Sequence, residues 1–177
     1  METIVPIYLE CADWESAGKR AVDQNLLQLT SQASTIRVFR EVRQRLQCLA
    51  NETLSNFMDW AFEERQAIAL IAACKCYPFI FDFIRLALKD KIQVFDQSLR
   101  EQDLDVFWNS KAIEHPELED VADSTKKKLK QVLIRLLAEA GLLSDTEKPW
   151  ITPIMPPGRI EEVFEREGLE YRDAFLS

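Results

Sequence analysis

A single histidine, His115, stands directly before Pro116 in the 177-residue chain, and there are four cysteines, Cys11, Cys48, Cys74 and Cys76. A Ser-His-Asp or Cys-His nucleophile would have to take that histidine as its base. Beside proline it reads instead as a turn residue. Cys74 and Cys76 lie two apart on a predicted helix, so they point about 200° apart and cannot chelate one metal ion. The sequence contains no second Cys/His pair, no Walker loop and no GxGxxG motif. Acidic pairs such as Asp103/Asp105 and Glu161/Glu162 read as solvated helix faces. No enzymatic activity, cofactor, metal or small-molecule substrate is expected from this inventory.

Cations carry the sharper signal. The formal net charge is −8, yet residues 124–143 carry +4 and residues 31–50 carry +3. A field acts over roughly one Debye length, about 8 Å at physiological salt, so local patches matter more than the total. The stretch Ser124-Thr125-Lys126-Lys127-Lys128-Leu129-Lys130 places four lysines in the first turns of a predicted helix. The helix dipole is positive there, so folding alone would favour acids. An external phosphate reverses the preference, because N–H groups, hydroxyls and ammonium groups can converge on it. Neutralisation by Glu119, Asp120 and Asp123 is the competing explanation. Lys127, Lys130, Gln131 and Ile134 are expected opposite the apolar stripe, with Arg135 nearer its edge. Lys148 is expected at the tip of a following turn, Thr146 to Lys148. A second cationic helix carries Arg37, Arg40 and Gln44 on the face away from its apolar stripe, with Arg43 and Arg45 on the two flanks. Arginines on an exposed helical face suit phosphate contacts, with interhelical ion pairs as the alternative.

The elements that must position these groups are helices. Ile36, Phe39, Val42, Leu46 and Leu49 form one stripe over 34–50, and in the helix predicted over 63–77 residues 67–74 are apolar all round, as in a bundle centre. Further helices are predicted over 13–29, 51–60, 79–92, 101–112, 124–140 and 158–168. Leu129, Val132, Leu133, Leu136, Leu137 and Ala140 are the expected buried stripe of the helix ending at Gly141. Two short strands, 142–143 and 150–152, are expected around the polar turn. The predicted fold is mainly α: a helical bundle over 1–95 and a winged-helix-like unit with one short β-hairpin over 96–177, packed as one body. The longest apolar run, Ala67 to Cys74, stops at Lys75, so no membrane span is expected, and the first six residues lack the basic stretch of a secretion signal. A cytoplasmic location follows as the expectation.

Several ordered stretches resemble the BrxA family of BREX phage-defence systems. They are Asp23 to Gln28, the Arg-rich Ser34 to Leu49, Ala72 to Phe79, Lys111 to Leu118, and Ser124 to Leu133 running into Glu139 to Leu143. The resemblance covers roughly residues 12–155. It implies a helical protein encoded beside a defence methyltransferase and ATPases, with other BREX proteins as partners. The family also carries an inner-membrane label and a likeness to the helical RNA-binding antitermination protein NusB. DNA binding is the other activity it implies. The residues carried over are Arg37, Arg40 and Arg43, and Ser124, Thr125, Lys126, Lys127, Lys128 and Lys130. The resulting expectation is a non-enzymatic accessory protein that binds double-stranded DNA in preference to RNA. Its contacts would be mainly to phosphate, so sequence preference should be weak. The alternative is a scaffold that docks defence proteins through the acidic helix of Glu161, Glu162, Glu165 and Glu167.

Overall fold

The computed structural model describes residues 1–176 and is mainly helical, with ten α-helices among them. The chain divides into two units, residues 1–77 with 157–169, and residues 78–156 with 170–176. Tyr77, the last residue of the first stretch, leaves its helix at φ −130°, ψ 87°, because a residue before proline is pushed out of helical conformation.

In the first unit, α1 (Ile4–Cys11), α2 (Trp14–Asp23) and α3 (Gln32–Leu46) pack in sequence. Helix α1 was not anticipated, and α2 stops at Asp23, before Leu29. Asp13 caps α2 by accepting the Ser16 N–H at 2.7 Å. Gly18 lies against Phe39: a β-carbon there would sit 3.0 Å from its ring, so no side chain fits without a shift. Short α4 (Asn51–Ser55) leads to α5 (Phe62–Cys76), whose apolar run 67–74 is mostly buried and which packs on α3. The last helix, α10 (Glu161–Glu167), belongs to this unit and buries Val163 and Phe164.

Its Glu167 carboxylate, with no exposed side-chain surface, accepts the Ala50 N–H, the Thr53 hydroxyl and the Lys75 ammonium group. Stranding such buried donors costs on the order of 3 kcal/mol. Glu167 therefore ties α10 to α4 and α5 and is not part of an acidic docking face.

In the second unit, α6 (Pro78–Asp82), a π-helical stretch (Phe83–Leu88) and α7 (Lys89–Gln93) run on from one another. Phe79 and Phe83 meet Phe107 edge-on at 5.1 Å each. Phe107 belongs to α8 (Glu101–Glu114), which is followed by a 3-10 turn at Pro116–Leu118 and then α9 (Asp123–Glu139). The expected strands reduce to two isolated antiparallel bridges, Leu143 with Ile151 and Ser98 with Trp150. Pro149 and Pro153 flank the middle segment and supply no N–H, so the ladder cannot lengthen. Among the described residues no single helix is long and apolar enough to cross a membrane.

Candidate nucleic-acid interface

Helix α9 buries Leu133, Ile134 and Leu137. Its inward face is rotated from the predicted stripe. Leu129 and Val132 are 47% and 51% exposed, and Ile134, expected outside, is inside. Two lysines turn inward with it. Lys130 pairs with the Asp105 carboxylate of α8 at 2.5 Å, and Lys126 approaches the same carboxylate at 3.6 Å. The Lys126 ammonium group also lies 5.4 Å from the Trp108 ring centre, a cation–π distance. Asp105 takes the charge of both. The hydrogen bond from Lys130 holds the Asp105 carboxyl below the usual carboxylate range. Lys126 and Lys130 are thus engaged within the protein, contrary to the expectation that Lys130 faces outward.

The opposite face differs. Ser124, Thr125, Lys127, Lys128, Gln131 and Arg135 are all exposed. Among the described residues Lys127, Lys128 and Arg135 have no ion-pair partner, and Glu119, Asp120 and Asp123 form none with them. Neither Asp123 nor Ser124 caps the helix. Ala122 occupies that position, and no side chain bonds to the first turn.

Beside α9 the turn 144–150 is built around Asp145. Its carboxylate accepts the N–H groups of Lys148 and Glu147 at 2.7 and 2.8 Å. These bonds, that of Lys148 first, hold the carboxyl below its ordinary range. Trp150 donates its indole N–H to Gln97 at 3.1 Å. Two shallow recesses of about 510 and 460 Å³ share Glu101, Leu104, Ile134 and Thr146 and so form one groove between α8, α9 and this turn. Arg100, Lys127, Lys130, Arg135 and Lys148 line it against the acids Glu101 and Glu147. Arg100 and Trp150 carry no sequence signal, since the groove joins three separated segments.

In the first unit Arg37 and Arg40 are exposed on α3, while Arg43 and Arg45 are half-buried. Arg45 pairs with Glu41 at 3.0 Å and lies over the Tyr77 ring at 5.6 Å, so it is held within the protein. Arg43 contributes to the field on Asp13. His115 sits in an exposed turn, 3.4 Å from Glu117, and burial pushes the Cys74 thiol up to about 12.

A family model described as BrxA matches residues 1–168. A "BREX protein BrxA" from Bacillus cereus (strain H3081.97) is 27% identical over 127 residues, 72% of this chain and 64% of that protein, so the match spans less than two thirds of the relative. Another, from Escherichia coli O9:H4 (strain HS), is 25% identical over 165 residues, 93% of this chain and 78% of that protein. The fold matches a solved structure described as an uncharacterized protein from Magnetospirillum magneticum, with a TM-score of 0.82 at 20% identity, covering 98% of this chain and 89% of that one. Because the family model extends over nearly the whole sequence, the chain belongs to the BrxA family.

Proposed function

We propose that the chain is a non-enzymatic, cytoplasmic accessory protein of a BREX phage-defence system that binds double-stranded DNA through residues 78–156. The supporting observation is the outer face of α9, whose Lys127, Lys128 and Arg135 form no ion pair among the described residues. Chain order adds support for a winged-helix reading: helix 78–93, the Ser98 segment, α8, α9, then the two segments joined by the 144–150 turn, with Trp150 paired back to Ser98. In that arrangement the second helix of the pair enters a major groove and the turn lies along the backbone. The cationic groove from Arg100 to Lys148 offers a path for one phosphate strand. Asp145 and Glu147 make the turn tip a poor phosphate ligand, so α9 carries most of the contact.

A fluorescence-anisotropy titration of a labelled duplex at low and physiological salt tests this. Lys127→Glu with Lys128→Glu should weaken binding by about tenfold or more at low salt. An unchanged curve, or no binding at low salt, rejects the proposal. A structured RNA that outcompetes the duplex would favour RNA as the ligand. Absence of all nucleic-acid binding favours the adaptor reading, for which exposed Val106 and Ile113, two turns apart on α8, supply apolar surface.

A further inference from the structure

Opposite the buried side of α9 runs one narrow stripe at spacings of four, three and four residues: Ser124, Lys128, Gln131 and Arg135. At about 100° per residue these four fall within an arc of about 60°. All are exposed, and among the described residues none has a hydrogen-bond or ion-pair partner. A merely solvated helix of 17 residues would be expected to mix acids among its cations, since Glu–Lys pairs four apart stabilise an exposed face. Here the two acids of the helix, Asp123 and Glu139, stand four residues from Lys127 and Arg135, and neither forms an ion pair with them among the described residues. Val132 lies half exposed beside the stripe, where a solvated face would carry a polar residue.

The inward turn of Lys126 and Lys130 leaves phosphate contact to Ser124, Lys127 and Lys128 at the first turns. It leaves an amide and a guanidinium, Gln131 and Arg135, further along the outer face. An amide can pair bidentately with adenine N6 and N7, and a guanidinium with guanine O6 and N7. Resting on the DNA-binding reading above, we propose that Gln131 and Arg135 read base edges, so that the protein prefers duplexes with an adenine and a guanine at a fixed spacing. Four residues of helix rise about 6 Å, against about 3.4 Å per base step, which sets that spacing at one or two base pairs. Val132 is placed to touch a thymine methyl group nearby.

Selection from duplexes with a randomised core tests this. Wild type should enrich a motif holding both purines and prefer it by about tenfold per base over a scrambled duplex. Gln131→Ala should flatten the adenine position and Arg135→Ala the guanine position. Gln131→Arg should convert the adenine preference to guanine, a gain that misfolding cannot produce. Lys128→Ala should weaken all duplexes alike and keep the motif. Binding without any enriched motif, or a motif that survives both alanine variants, overturns base reading while leaving DNA binding intact. Retention of no duplex at low salt overturns both.

Discussion

Asp105 sets how many lysines of α9 face solvent. It takes Lys130 at 2.5 Å and Lys126 at 3.6 Å, and it is itself partly exposed. Asparagine keeps the size of the side chain and an acceptor oxygen for the half-buried Lys130, so the substitution should leave the fold intact. Asp105→Asn removes one negative charge near the groove and releases two ammonium groups. Duplex affinity should therefore rise several-fold at low salt. The slope of log affinity against log salt should steepen by about 0.9 for each lysine that reaches a phosphate. A titration showing unchanged or weaker binding, with an unchanged melting curve, would mean that these lysines cannot reach the nucleic acid.

At the scale of elements, the segment between α7 and α8 is tied down by Asp96. Its carboxylate accepts Lys91 at 2.8 Å, the Ser98 hydroxyl at 2.6 Å and the Ser98 N–H at 3.1 Å. Lys91 first, then Ser98, holds this carboxyl far below its ordinary range. Asp105 and Asp145 are shifted the same way. A carboxylate depressed in the folded state contributes stability above its unfolded pKa, about 3.9, and loses it as pH falls toward the folded value. Urea midpoints should therefore stay level from about pH 7 to 5 and fall below about pH 4. Asp96→Asn should lower the midpoint at neutral pH and flatten the acid fall. An acid fall as steep in Asp96→Asn as in the wild type would assign it to other groups.

The same helices show what periodicity can and cannot reveal. The core helix α5 is legible because its residues 67–74 are apolar all round, and Pro78 marks its end. The sequence also located α9 and its cations. Its rotation was not legible, because Leu129 and Val132 fit an apolar stripe by residue type. The deciding partner, Asp105, lies some twenty residues away and accepts lysines on the buried side. Arg100 and Trp150 reach the groove only through the bridges of Ser98 and Leu143.

For the whole molecule, a total of −8 must coexist with binding to a polyanion. Screening confines the repulsion from distant acids to roughly 8 Å at physiological salt, whereas direct phosphate contacts release counterions. Arg100, Lys127, Lys128 and Lys148 are the four exposed cations placed to meet phosphate in residues 78–156. Four contacts give a log–log salt slope of about −3.6, a loss of about 150-fold between 50 and 200 mM salt. If Arg37, Arg40 and Arg43 also met phosphate, seven contacts would give a slope near about −6. Anisotropy titrations over that salt range distinguish the two. A slope near −3.6 that survives Arg37→Glu with Arg40→Glu confines the interface to the second unit. A steeper slope that those reversals flatten brings α3 into it, and a slope near zero removes phosphate contact as the basis of binding.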